Sequence, residues 1–440
     1  MKNDTFTLTI RKYLTLAFFC ISLLQYKHSL AQAESSTNID SLSKSIKAIK
    51  DEITFLKRLK ISGYVQPQFQ MIDSAGAPSF AGGDFVNGTG KYSSRFTVRR
   101  GRIKFTYTHN NIEIVLNPDI SERGVFMRET YGKITDPWLK MFSLTAGLLQ
   151  YQFGYDEPTS SAIRETPERA RMFQLLFPSE RDLGVFGSVV FPKTTLLNGL
   201  KIDIAATNGV AGINPEFDSY KDYHGRIGYS KTSKNDKVSF GIGVSYYNGG
   251  YRTGNIIDYN LKRSEIGDYA YGIAADTANY ERKAQKLYYG ADAQLSIKWK
   301  IGTTVLRGEY IQGEQPGTSS SSASARVVPT SKLYHRDFNG ASFYFIQNLG
   351  KSKFQLVAKY DWYDPNVKIA GLDVGKVDTH TNNIGDIRFD TYGLGLNYYL
   401  DKNVKIVLYY DYIVNEKTLV TGYTNDIKDN VYTLRMQYRF

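Results

Sequence analysis

Four arginines stand close together between residues 154 and 182: Arg164, Arg169, Arg171 and Arg181. A guanidinium stays charged at any physiological pH, and its planar fork of donors suits phosphate or carboxylate. A second basic group, Arg100, Arg102 and Lys104, recurs at every second residue. In extended chain that spacing puts all three on one face, opposite Ile103, Phe105 and Tyr107. Both groups point to the capture or passage of an anion. Four acids, Glu165, Glu168, Glu180 and Asp182, lie among the loop arginines and match them in number. Two arrangements therefore stay open: arginines that ring a constriction, or arginines neutralised by the acids of their own loop.

Other chemistry is thinly represented. His109, His224, His335 and His380 are not at metal-ligand spacing, and no nucleophile elbow or phosphate-cradling glycine loop is evident. No enzyme, cofactor or metal site is expected. The one cysteine, Cys20, lies in an apolar stretch near the N-terminus and offers no disulfide. Lys and Arg outnumber Asp and Glu by 55 to 43, a net charge of +12. Among the partners of a basic chain, an anionic solute fits better here than nucleic acid, because the elements that carry the charge have the pattern of a membrane barrel.

That pattern is clearest at the end of the chain. Tyr432, Leu434, Met436, Tyr438 and Phe440 alternate with Thr433, Arg435, Gln437 and Arg439. A strand with one apolar and one polar face has this period of two. Sixteen such strands are expected, near 61–72, 94–108, 111–118, 124–134, 139–151, 183–191, 199–208, 222–231, 236–247, 285–298, 301–313, 338–348, 353–363, 386–400, 403–414 and 429–440. Short links (232–235, 299–300, 349–352, 401–402) alternate with long polar ones (248–284, 314–337, 364–385, 415–428). An even strand number, alternating link lengths and tyrosines near the ends of apolar faces predict an all-β fold: a transmembrane antiparallel barrel with short periplasmic turns and long outer loops. A charge facing lipid near the midplane costs roughly 2–4 kcal/mol, so the polar faces belong to the lumen. By this parity Arg226, Arg307, Lys359, Arg435 and Arg439 point inward, as do Asp203, Asp292, Glu309, Asp361 and Asp411. The insertion 154–182 is expected to fold inward, with a helix starting at Thr166-Pro167-Glu168, a hydroxyl cap followed by proline. Tyr288 and Tyr409, on lumen faces, would suit a sugar track.

The N-terminus reads differently. Lys2, Arg11 and Lys12 precede the apolar run 13–24, and Ala31-Gln32-Ala33 offers small residues for cleavage, so residues 1–33 are expected to be an export signal. Ile39, Leu42, Ile46, Ile49, Ile53 and Leu56 then alternate spacings of three and four, the seam of a short amphipathic or coiled-coil helix over 34–60. It could join copies of the chain or lie on its own barrel.

Several segments together resemble a known family. They are Ile61-Ser62-Gly63-Tyr64-Val65-Gln66-Pro67-Gln68-Phe69, Arg99-Arg100-Gly101-Arg102, Glu157-Pro158-Thr159-Ser160-Ser161, the run from Glu168-Arg169 to Pro178, Arg181 and Leu183-Gly184-Val185, and the terminal Phe440. In that order they resemble the phosphate-selective porin O and P family, in the manner of its Bacteroidota members. The resemblance implies a trimeric sixteen-stranded outer-membrane porin for small anions such as phosphate or polyphosphate. It further implies a constriction bearing Arg164, Arg169, Arg171 and Arg181, a basic ladder that includes Arg100 and Arg102, and recognition of Phe440 by the barrel-assembly machinery. The surroundings would be outer-membrane lipid and lipopolysaccharide. A general or sugar-passing porin, and a plugged barrel serving as a structural or binding surface protein, are the alternatives.

Overall fold

The computed structural model describes residues 44–440 except 51, 54–56, 213, 264–268, 377–379 and 382. The expected export signal, and Ile39, Leu42 and Leu56 of the heptad, lie outside the described residues. Residues 44–50 are helical, and the heptad residues Ile46, Ile49 and Ile53 are exposed.

Among the described residues of the second unit, 58–440, sixteen strands close into one antiparallel barrel. They are β1 (Leu59–Ile72), β2 (Ser94–His109), β3 (Ile112–Ser121), β4 (Gly124–Thr135), β5 (Phe142–Gln150), β6 (Arg181–Val190), β7 (Leu200–Thr207), β8 (Asp222–Thr232), β9 (Val238–Arg252), β10 (Lys283–Trp299), β11 (Gly302–Gly317), β12 (Leu333–Asn348), β13 (Phe354–Asp364), β14 (Phe389–Tyr399), β15 (Val404–Asn415) and β16 (Val431–Arg439). Each pairs with its sequence neighbours, and β1 with β16 closes the ring, so no edge is left unpaired. All sixteen expected strands are present. The link 248–284 is not wholly a loop: β9 runs on to Arg252, and Ile257–Arg263 pairs with Tyr269–Ala275 as a hairpin beyond the wall.

The polarity of this barrel is inside out. Along β16, Leu434 and Met436 are 48% and 46% exposed, whereas Thr433 and Arg435 are 0% and 3%. Water would not tolerate a continuous apolar outer band of this kind; hydrocarbon would. Aromatic residues mark both borders of the band. Trp362, Tyr392, Tyr412 and Tyr432 lie toward the long links, and Phe354, Tyr398, Tyr438 and Phe440 toward the short ones. At the short-link end, Asp136 accepts backbone hydrogen bonds from Leu139, Lys140, Met141 and Phe142. Those bonds hold its carboxyl below the ordinary range and set the turn between β4 and β5.

Candidate functional site

Two irregularities shape the lumen wall. Between β1 and β2 the register steps from Gln66↔Arg100 to Pro67↔Val98, leaving Arg99 as an extra residue. Between β3 and β4 it steps from Asn117↔Glu129 to Pro118↔Met127, leaving Arg128 extra. Proline has no N–H to give to a ladder and is at home where the ladder is broken. A bulge also reverses the inward parity of the strand. Arg95, Thr97 and Arg99 face in above the step, and Arg100, Arg102 and Lys104 below it. Arg99 and Arg100 both reach Glu168, at 2.9 Å each. Arg128 turns inward beside Glu129 and donates to an oxygen of Asp119 at 3.2 Å. Arg95, Arg99 and Arg128 are therefore lumen residues that a single strand-wide parity missed. The signal available in the sequence was the pair of prolines, Pro67 and Pro118, inside otherwise regular strands.

The segment 151–180 between β5 and β6 follows the inner wall and touches strands from all around the ring. Gln152 N–H donates to His224 on β8, and Gly154 N–H to Ser245 on β9. The N–H groups of Tyr155 and Asp156 donate to the carboxylate of Glu309 on β11. Gly154 has φ +65°, a backbone that glycine adopts without strain, and a Cβ there would crowd Oε1 of Glu309. Further on, Glu165 pairs with Arg307 at 2.8 Å, Lys405 Nζ donates to the Arg164 carbonyl at 2.7 Å, and Gln437 donates to the Ala162 carbonyl at 2.9 Å. Tyr64 OH and Ser161 Oγ lie 2.6 Å apart. Three guanidiniums, Arg99, Arg100 and Arg435, then converge on Glu168. Burial works against its charge, yet Arg100, Arg99 and Arg435 hold the carboxyl well below the usual range.

The segment's helix, α1 (Arg171–Leu176), starts later than the expected Thr166. Thr166 Oγ1 donates to the carbonyl of Glu168 instead of accepting from a helical N–H. Glu168 itself is pulled to the wall by its three arginines, so no turn can close there. α1 buries Met172, Phe173 and Leu176 against Tyr247, Tyr288 and Phe338. Tyr288 is thus 0% exposed beneath the helix, and Tyr409 is 2% exposed in a second cluster with Val407, Tyr344 and Val357. Neither ring offers a face to a solute, contrary to the expected sugar track.

The structure separates the expected basic residues into classes. Arg164, Arg169 and Arg181 come together with Asp156, Glu157, Glu180 and Glu129, and each of the three is 2–3% exposed. Within this group Glu157 touches Arg169 at 3.4 Å but accepts no hydrogen bond, and burial pushes its carboxyl up to about 8. Arg100 and Arg102 are equally buried, Arg102 on Asp119 at 3.0 Å. Lys104 lies 3.3 Å from Glu129 and keeps 36% of its side chain exposed. Arg226 forks onto Asp292 at 2.6 and 2.8 Å, and Lys359 meets Asp361 at 2.9 Å and Asp411 at 3.5 Å. Arg439 is exposed at the rim and donates to the Lys402 carbonyl. Arg171 stands apart from the other loop arginines, its guanidinium 4.3 Å from the Phe80 ring and 3.9 Å from the Phe389 ring.

A closed sixteen-stranded barrel with an apolar exterior and a charged, loop-lined lumen is the architecture of a porin. One family model, phosphate-selective porin O and P, matches residues 77–440. The chain belongs to that family. It is an outer-membrane porin, a channel built from strands. The match begins within the first long link, so all the strands after β1 lie inside it. Among solved structures, OmpF of Salmonella typhi in complex with daunomycin aligns with TM-score 0.52 at 10% identity, covering 87% of this chain and 97% of that one. The outer membrane channel DcaP of Acinetobacter baumannii aligns with TM-score 0.50 at 11% identity, again over 87% and 97%. At such identities the likeness is one of fold. Comparison with curated protein sequences finds no match.

Proposed function

We propose that this porin passes small anionic solutes by passive diffusion, phosphate and polyphosphate among them, along the inner face of β1–β4. One observation carries the reading. The cations on this wall, Arg95, Arg99, Arg100, Arg102, Lys104 and Arg128, outnumber the carboxylates that meet them, Asp119, Glu129 and Glu168, and Arg95, Arg99, Lys104 and Arg128 keep solvent-accessible surface. Basic side chains lining a water-filled path raise the local concentration of anions. In this reading the segment 154–182 is the constriction, but its buried Arg164, Arg169 and Arg181 shape it, and Arg99, Lys104 and Arg128 meet the solute. Arg100, Arg102 and Arg435 hold the segment to the wall and supply background charge. Arg226, Arg307 and Lys359 are balanced by carboxylates and contribute little.

The mature chain is proposed to work as a homotrimer set in lipid and lipopolysaccharide, placed there by assembly machinery that recognises Phe440. The heptad helix, with Ile46, Ile49 and Ile53 exposed, would associate with its copies in that trimer. The test is a planar-bilayer recording in which phosphate is titrated against chloride current. Block of the chloride current at low phosphate supports a phosphate-preferring path. Chloride current that phosphate leaves untouched would reduce the protein to a general porin.

A further inference from the structure

Among the described residues Arg171 joins none of the ion pairs that hold the other loop arginines. It faces a cavity of about 350 Å³ where the links after β1, β11, β13 and β15 converge on α1. The same cavity is lined by Asp429, which is 2% exposed, and by the serines Ser320, Ser321 and Ser322. The guanidinium carbon of Arg171 lies over the Phe80 ring at 4.3 Å and over the Phe389 ring at 3.9 Å, aromatic contacts that supply no oxygen acceptor to its N–H donors. Arg171 is 7% exposed and its Nε has no hydrogen-bond partner; Oδ1 of Asp429 has none either. Among the described residues no ion pair joins the two. A buried cation and a buried carboxylate that share one cavity without meeting are each left short of partners, a costly arrangement unless something bridges them. A simple anion such as phosphate would satisfy Arg171 but face Asp429, and Asp84 at the rim. A simple amine would face Arg171.

We infer that this cavity is a binding subsite for a zwitterion of the amino-acid or short-peptide class, with the carboxylate on Arg171 and the ammonium on Asp429. Burial pushes the Asp429 carboxyl up to about 7 against the pull of Arg171, and a bound ammonium would restore its charge. The site needs no current through the barrel, so it stands or falls separately from the proposed anion path.

The test is titration calorimetry on the full, detergent-solubilised protein with three probes: L-alanyl-L-alanine, its N-acetyl derivative (anion only) and its methyl ester (cation only). The dipeptide is expected to bind at least tenfold more tightly than either single-charge form. The near-isosteric D429N should remove that advantage over the N-acetyl form, and R171Q should abolish binding of both. Circular dichroism and thermal unfolding of the variants control for folding, with R171K as the milder replacement. Three probes that bind alike, no binding of the dipeptide, a folded D429N that keeps the preference, or phosphate competing as tightly as the dipeptide would each overturn the assignment.

Discussion

Two walls of the lumen hold the same inserted segment by different means. On the β8–β13 side, α1 beds on Tyr247, Tyr288 and Phe338, and the wall's cations meet carboxylates: Arg226 on Asp292, Lys286 on Asp222, Arg307 on Glu165 and Lys359 on Asp361. On the β1–β4 side there is little apolar packing, and three guanidiniums share a single carboxylate, Glu168. One wall is apolar where it meets the segment and balanced in charge; the other is polar and carries surplus positive charge. The difference comes from two inserted residues, Arg99 and Arg128, each the bulge opposite a proline. A regular β2 and β4 would have sent alternate arginines toward lipid, at a cost of roughly 2–4 kcal/mol each near the midplane. Bulges let neighbouring residues share one face, which concentrates charge beyond what alternation permits.

The comparison can be broken most severely at Glu168. Removing one side of a buried ion pair costs about 3–5 kcal/mol because the other side is left charged and alone. E168Q should therefore lower the unfolding temperature markedly and raise anion preference, read by thermal unfolding and reversal potential. Unchanged stability would mean that the segment is held by the opposite wall alone.

Next in size is a pH effect from Glu157. Its folded pKa is raised to about 8 from 4.5, so its contribution is fully present below the unfolded value and is lost as pH rises through about 8. Unfolding temperature should fall between about pH 4.5 and about pH 8, and E157Q should flatten that slope. Glu168 has the opposite sign. Its depressed pKa keeps its contribution above the unfolded value and loses it only as pH falls through that depressed pKa in strong acid.

A smaller effect is expected from R99Q combined with R128Q. Both side chains are partly exposed, at 18% and 23%, so folding should be little changed while phosphate block weakens severalfold. Smallest is D292N on the neutral wall. It frees Arg226, 16% exposed, and should raise anion preference slightly, less than the bulge variants lower it. A larger shift from D292N would show that solutes follow the other wall.

Much of this was legible in the residues. Period-two alternation placed all sixteen strands, since a lipid face and a water face impose it on every one. The inward parity of Arg102, Arg226, Arg307 and Arg435 followed from the same rule. Arg99 and Arg128 did not, because parity assumes an unbroken ladder and each lies at a break. The start of α1 was also missed. Thr166-Pro167-Glu168 carries a good local capping signal, but three arginines distant in sequence claim Glu168, and tertiary charge outweighs local propensity. For the same reason the two readings of the loop arginines were inseparable until their partners were known: Glu129 on β4 and Asp156 and Glu157 upstream complete the pairs that Glu165 and Asp182 do not.

The most direct measurement is the reversal potential of the wild-type channel in a planar bilayer under a potassium chloride gradient. An anionic sign is expected, from the surplus of cations on β2 and β4. A zero or cationic reversal potential would contradict it, and would mean that the acids of the lumen cancel the arginines that the two bulges add.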